Sequence, residues 1–170
     1  MTAPVLKEKN GEHPFGHAGQ LIALVAFMAV WVADSFLGHW STFPARHVPL
    51  AVRLALLGLA LLTAVSLVRS AAAVHHLEQL PDHVVTTGPF RRVRHPIYLG
   101  VILVYLGMAL ATASLSSLAI LVGIFLFYNY IAGYEEKLLS ARFGQAYRDY
   151  AMRTGKWIPG IGRRKQGRPS

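Results

Sequence analysis

The chain has 170 residues, 54% of them hydrophobic and 15% charged, and its mean hydropathy of +0.40 is too apolar for an ordinary water-soluble domain. It contains no cysteine, which excludes a disulfide framework, a thiolate metal site, a cysteine nucleophile and a thiol redox sensor. Seventeen Lys and Arg against eight Asp and Glu give a net charge of +9; in so apolar a chain that excess marks a face held against anionic lipid rather than a nucleic-acid site.

A bilayer's hydrocarbon, about 30 Å thick, takes on the order of 20 apolar residues of helix to cross. Four stretches approach that length, at residues 18–37, 48–68, 96–113 and 115–133. The expected fold class is therefore an all-α integral membrane protein with four transmembrane helices. Met1 to His17 is polar, but the stretch after it is long and bulky, with Phe27 and Trp31 and no small-x-small cleavage site beyond it. It reads as a retained anchor and not as a signal peptide. No lipidation motif and no internal repeat is present. Asp34 and Arg53 are the only charges in the four stretches. Each lies within about two turns of a stretch end, from which a side chain can reach the headgroups.

Residues 69–95 form a connector too long for a simple turn. Its early part, 70–80, is expected to continue the second helix until Pro81 stops it. The connector also contains Asp82 and His83; His75, His76 and Glu78 invite a metal reading, but adjacent histidines point about 100° apart on a helix. No histidine stands at a four-residue spacing to make a one-face pair, so the reading here is structural. Then comes Gly88-Pro89-Phe90-Arg91-Arg92-Val93-Arg94-His95-Pro96-Ile97-Tyr98-Leu99-Gly100. Proline has no N–H to lose at a helix start, so the third span is expected to begin at Pro96 with His95 extended before it. His95 and the free N–H groups of the first turn then make a place for an anion or carboxylate. From this segment alone the simpler reading is that the arginines are topology anchors and His95 a tolerated cap.

Small polar residues at Thr112, Ser114, Ser116 and Ser117 separate the third and fourth stretches, which implies a tight antiparallel hairpin. Beyond Gly133, Leu139, Phe143, Tyr147 and Ala151 recur every four residues, the pattern of an amphipathic helix lying on the membrane surface or over the bundle, with Gly144 a point for a kink. Glu135 and Glu136, the only adjacent acidic pair, sit where the fourth span leaves the membrane. Carboxylates there are costly unless paired. They either neutralise nearby arginines or hold a cationic ligand.

Orientation follows from the retention of Lys and Arg on the cytoplasmic side. Lys7 and Lys9 precede the first span, Arg69, Arg91, Arg92 and Arg94 lie between the second and third, and nine basic residues from Lys137 to Arg168 follow the fourth. The other two loops hold only Arg46. Both termini and the connector are thus expected to be cytoplasmic. The chain divides into an anchor part, 1–68, a catalytic part, 69–162, and a basic tail, 163–170, with a composition typical of disorder.

The run from Gly88 to Gly100, followed by Glu135-Glu136 and then by Phe143-Gly144 with Tyr147 and Tyr150, resembles the isoprenylcysteine carboxyl methyltransferase family and the wider group of integral membrane methyltransferases that includes the phospholipid methyltransferases. The resemblance covers residues 83–159, ending at Trp157-Ile158-Pro159. It implies a membrane enzyme that uses S-adenosylmethionine, bound at the cytoplasmic side. Carried over position by position, the cofactor residues would be His83, Val84, Val85, Phe90, His95, Pro96, Ile97 and Tyr98, with Glu135 the acidic contact and Glu136 a second candidate. A sulfonium, an ammonium and a carboxylate call for aromatic, acidic and basic partners together, and these residues include each. The chain lacks a GxGxxG turn, which excludes a soluble Rossmann-type methyltransferase.

Family members that methylate a carboxylate typically carry an Arg four residues before the first Glu, where this chain has Ile131, and often a basic residue where it has Gly133. Arg94 or Arg142 would have to stand in. For an amine, thiol or phenol acceptor, Glu136 or His95 is the candidate base. The reading is methyl transfer to a small or lipophilic acceptor drawn from the membrane, with Glu136 and Arg94 as catalytic residues, no resident metal and no nucleic-acid partner. Two alternatives stand beside it: a membrane sterol-type reductase using a nicotinamide cofactor held by Arg91, Arg92 and Arg94, and a non-catalytic membrane binding subunit.

Overall fold

The structure is a computed structural model, and it describes residues 16–77 and 83–160. The side chains of His75 and His76, with Glu78, Asp82 and the basic tail, lie outside the described residues. Among those described the protein is all helical: α1 (Gly16–Val32), prolonged by a π-helical turn Ala33–Gly38, α2 (Leu50–Leu77), α3 (Pro96–Thr112), α4 (Leu115–Phe143) and α5 (Gln145–Arg153), with 3₁₀ turns at Phe43–Arg46 and Gly88–Arg91. Three helical stretches are long and apolar enough to cross a membrane, His17–Gly38, Leu50–Ala73 and Leu115–Phe143. The protein is thus a multi-pass integral membrane protein. At 17 residues, α3 is about 25 Å long at 1.5 Å per residue, a little short of the hydrocarbon thickness.

Helix α2 runs past its apolar stretch to Leu77, as the connector's early residues lead one to expect. One helix end differs from the sequence expectation. Helix α4 continues through Glu135 and Glu136 to Phe143, where the sequence reading ends the span at Gly133. The amphipathic segment is consequently not one helix. Gly144 adopts φ 58° and ψ −125°, a conformation that in practice only glycine takes, and the chain turns there into α5. Leu139 and Phe143 stay on α4, while Tyr147 and Tyr150 are buried beneath α5.

Small residues let the helices approach. A Cβ at Gly107 would stand 2.9 Å from Ala60 Cβ, and one at Gly100 3.0 Å from Val68 Cγ2 and 3.3 Å from the Ala64 carbonyl oxygen. Seven residues apart, these glycines lie on one face of α3, against α2, and replace side-chain interdigitation by backbone contact. Opposite them Phe27 of α1, fully buried, packs on Tyr105 of α3 with ring centroids 4.5 Å apart. The outer faces stay apolar and exposed, as at Leu21, Leu62 and Leu126, which suits contact with acyl chains.

At the bundle end holding the α1–α2 and α3–α4 connections, a polar knot fixes the register. Asp34 is completely buried. It accepts hydrogen bonds from the Ser41 N–H at 2.8 Å and from the hydroxyls of Ser41 and Ser114. Ser41 in turn accepts from the Ser116 N–H at 2.8 Å, and Ser114 caps α4 by accepting from the Ser117 N–H at 3.1 Å. The expectation that Asp34 reaches the headgroups is thus corrected: the π-helical turn points it inward, where three donors replace water. Arg53 also turns inward, donating to the Ala111 carbonyl at 2.8 Å and the Val48 carbonyl at 3.2 Å. It satisfies a carbonyl in the last turn of α3, where the helix dipole favours a cation. Asp34→Ala would strip the acceptor from both serine hydroxyls and from the Ser41 N–H. A loss of at least about 2 kcal/mol is expected, read as a lower thermal unfolding midpoint in detergent, with Asp34→Asn falling between the two.

Candidate functional site

The other end of α3 and α4 carries the chemistry-bearing side chains. Because α4 is unbroken past Gly133, Glu135 and Glu136 project from neighbouring helix positions, about 100° apart, and both are half-buried. Across from them Pro96 opens α3, with His95 at the N-cap (φ −123°, ψ 65°). The imidazole of His95 is buried between the two carboxylates: Nε2 lies 3.1 Å from Glu136 Oε1 and Nδ1 lies 3.5 Å from Glu135 Oε2. Tyr98, one turn into α3, donates its hydroxyl to Glu135 and stacks parallel to His95, rings 5.7 Å apart and within 4°. Arg94 Nε sits 3.5 Å from Glu136 Oε1; it is buried and makes no hydrogen bond.

Two elements close over this group. Helix α5 docks through Tyr150, whose hydroxyl donates to the Phe90 carbonyl at 2.7 Å, with Tyr147 edge-on beside it. The segment after α5 then runs as a strap. The Arg94 N–H donates to the Gly155 carbonyl at 3.0 Å, Lys156 Nζ to the Asn129 carbonyl at 3.0 Å, and Trp157 Nε1 to Asn129 Oδ1 at 3.1 Å. Trp157 stands between the site and the outer face of α4, 5.9 Å from His95 and 5.5 Å from Phe125.

The electrostatics follow from burial against pairing. Burial opposes a charge on His95, but the hydrogen bonds and negative charges of Glu135 and Glu136 outweigh it, and the imidazole is held above its ordinary value. Lys156 is lowered by burial and by the charge of Arg94, despite the opposing pull of the two glutamates. Burial pushes the Tyr150 phenol up to about 12, and Tyr147 higher still.

Of the residues expected from the sequence, the structure brings together Arg94, His95, Tyr98, Glu135 and Glu136. Pro96 is buried under the cluster's edge, and Phe90 is half-buried, its carbonyl serving as the anchor of α5. His83 and Ile97 are exposed, and Val84 and Val85 half-buried, so none of these four stands in the carboxylate–imidazole group. Arg142 is exposed with its guanidinium over the Phe143 ring. Sequence reasoning missed Asn129 and Lys156, 27 residues apart. The missing side chain at Gly133 was the one signal, since a Cβ there would meet the Lys156 ammonium at 3.7 Å.

The family model described as phospholipid methyltransferase matches residues 50–146, from the first residue of α2 past both glutamates. The chain belongs to the phospholipid methyltransferase family. That places it in the wider membrane methyltransferase group. It is 32% identical over 112 residues, 65% of its own length and 50% of the relative's, to the cobalt-zinc-cadmium resistance protein CzcN of Cupriavidus metallidurans. It is 38% identical over 76 residues, 44% of its own length and 35% of the relative's, to the nickel-cobalt-cadmium resistance protein NccN of Alcaligenes xylosoxydans xylosoxydans. The chain thus spans half or less of the curated relatives it matches. No solved structure matches it.

Because the pKa of His95 is higher folded than unfolded, the stabilisation its charge provides is complete below about pH 6.5 and disappears as pH rises through the raised value. Lys156, shifted the other way, contributes with the opposite sign at more alkaline pH. The thermal midpoint in detergent is expected to fall between about pH 6 and about pH 8, and His95→Gln to remove most of that dependence.

Proposed function

We propose that this phospholipid methyltransferase family member is an S-adenosylmethionine-dependent enzyme that methylates a lipophilic acceptor at the cytoplasmic edge of the membrane. The observation that carries the reading is the imidazole of His95 held between Glu135 and Glu136 under the Trp157 strap. The residues present fit the cofactor: two carboxylates and the faces of Tyr98 and Trp157 for its cationic groups, and Arg94, whose buried Nε has no hydrogen-bond partner, for its carboxylate. Bound there, S-adenosylmethionine would supply a methyl carbon activated by sulfonium, the C–S electron pair returning to sulfur as the acceptor's lone pair forms the new bond.

Within that frame Glu135, oriented by the Tyr98 hydroxyl, receives the ammonium. Glu136 accepts the proton that an amine, thiol or phenol acceptor gives up, with His95 beside it as the relay. Arg94 sets the charge and direction of Glu136. The strap and α5 exclude water, which strengthens each of these interactions. Residues 83–85 form the outer approach to the cofactor. The acceptor tail is drawn from the bilayer past the α4 aromatics. An isoprenylcysteine-like carboxylate remains one candidate acceptor. The reductase alternative asks Arg91, Arg92 and Arg94 to share a phosphate; Arg91 and Arg92 are exposed while Arg94 turns to Glu136. The names of the two relatives add a setting, metal stress, and not a chemistry.

In this reading α3 is the fourth crossing, residues 1–68 serve as anchor and 69–162 as the catalytic part, and both termini are cytoplasmic. Since the chain lacks cysteine, single cysteines at the exposed positions His47 and Arg148 report orientation. An impermeant maleimide is expected to label His47→Cys in intact cells and Arg148→Cys only after permeabilisation. The site is tested by calorimetric titration of the purified protein with S-adenosylhomocysteine. Wild type should bind, and Glu135→Gln should bind roughly ten- to a hundredfold more weakly, the cost of one charge-assisted hydrogen bond. Absence of binding by wild type overturns the reading.

A further inference from the structure

Among the described residues, Lys156 is the one cation of the site that does not come from the connector or α3. It enters on the strap after α5 and projects over Gly133, where α4 presents no side chain. Lys156 is half-buried as a residue, its ammonium bonds the exposed Asn129 at the surface of α4, and the ammonium lies 5.9 Å from the Trp157 ring centroid. An ammonium has three donors, and among the described residues Lys156 donates only to the Asn129 carbonyl. Glu135 and Glu136, already engaged by Tyr98, His95 and Arg94, act on it through their charge and not as ion-pair partners within hydrogen-bonding reach. Two donors are therefore available to a further oxygen ligand.

The surroundings say what kind of ligand. Val122, Leu126 and Tyr130 recur every four residues along α4 and are 60%, 61% and 65% exposed, a continuous stripe that ends at Gly133 and the ammonium. Ile158, 58% exposed, continues the apolar surface on the strap side. A cation with spare donors at the end of an apolar track, one turn from the glutamates, complements an amphiphile with a negatively charged head. Ile131, by contrast, is 1% exposed, so the α4 face that would carry a cation in carboxylate-methylating relatives is closed here by packing.

We infer that Lys156 holds the anionic head of the lipophilic methyl acceptor, positioned by Asn129 and by the space above Gly133. This rests on the proposed methyl-transfer reading, and it makes Lys156 a residue that selects the acceptor's charge, with the cofactor held by other groups. An alternative, that Lys156 only fastens the strap, predicts that its loss damages cofactor binding and stability whatever lipid is offered.

The test uses full-length protein in neutral detergent micelles and lipids brominated on the acyl chain, which quench a nearby tryptophan. Phosphatidate is the anionic probe and phosphatidylcholine the control, with Trp157→Phe identifying the tryptophan quenched. The expected result is quenching of Trp157 by brominated phosphatidate at a half-saturating fraction that rises about tenfold or more in Lys156→Gln. Lys156→Arg should stay within about threefold of wild type, because it keeps the charge. The response to brominated phosphatidylcholine, and the affinity for S-adenosylhomocysteine, should not change. Equal shifts for both lipids, or a loss of S-adenosylhomocysteine binding in Lys156→Gln to match the lipid effect, would overturn the inference in favour of a fastening role. Displacement of the brominated phosphatidate by inorganic phosphate at comparable concentration would overturn its lipophilic half. Failure of wild type to bind S-adenosylhomocysteine would refute the enzymatic reading while leaving the lipid result to stand on its own.

Discussion

Two adjacent carboxylates on one helix, both half-buried, set the terms for the rest of this molecule. A half-buried charge in low dielectric is several kcal/mol uphill unless an opposite charge and hydrogen-bond donors meet it, and Glu135 and Glu136 leave α4 in directions too far apart for one partner on one face to serve both. The imidazole of His95 serves both because its two nitrogens point in opposite directions. That solution requires a buried ring presented edge-on from another element. Pro96 provides it, starting α3 at the residue after His95 and leaving the histidine at the N-cap with φ −123° and ψ 65°, outside the extended conformation expected from the sequence. Tyr98 then donates its hydroxyl to Glu135, and Arg94 adds its positive charge beside Glu136.

The bundle carries a second polar group at its opposite end, and the two act as pins. Asp34, Ser41 and Ser114 tie the α1–α2 connection to the start of α4, and Arg53 ties the start of α2 to the last turn of α3. Between the pins the contacts are apolar and backbone-close, at Gly100 and Gly107 against α2 and at Phe27 against Tyr105. In a membrane such packing gains little from the hydrophobic effect, since lipid is as apolar as the core. Register has to come from shape and from polar groups that have only one way to be satisfied. The site depends on that register: a slip of α3 against α4 by one residue would turn His95 away from both glutamates.

Family membership and geometry support one another without being the same argument. The phospholipid methyltransferase match ends at residue 146, before most of α5 and all of the strap. The strap supplies Lys156 and Trp157 and covers His95, so this cover is the part of the group that the family pattern does not describe.

The apolar stretches, the start of α3 at Pro96, the tight α3–α4 hairpin and the residue types of the 88–100 run and of the glutamate pair were all readable in the sequence. Each depends on local rules: helix length against membrane thickness, proline at a helix start, charge at a helix exit. The sequence also marked Arg94, His95, Tyr98, Glu135 and Glu136, since their residue types announce ionic and aromatic chemistry whatever surrounds them. It did not decide that α4 would run straight past Gly133, because a change of hydropathy alters what a helix is dissolved in and not whether its backbone bonds continue. Nor could it turn Asp34 and Arg53 inward, which depends on serines and a carbonyl contributed from residues 41, 114 and 111. Lys156 is the fullest case: in the sequence it is one basic residue among nine after the fourth stretch, and only the fold carries it across 27 residues to Asn129 and into the space that Gly133 leaves open. A local pattern records what a side chain can do, but which charges meet in three dimensions is decided by the elements that pack between them.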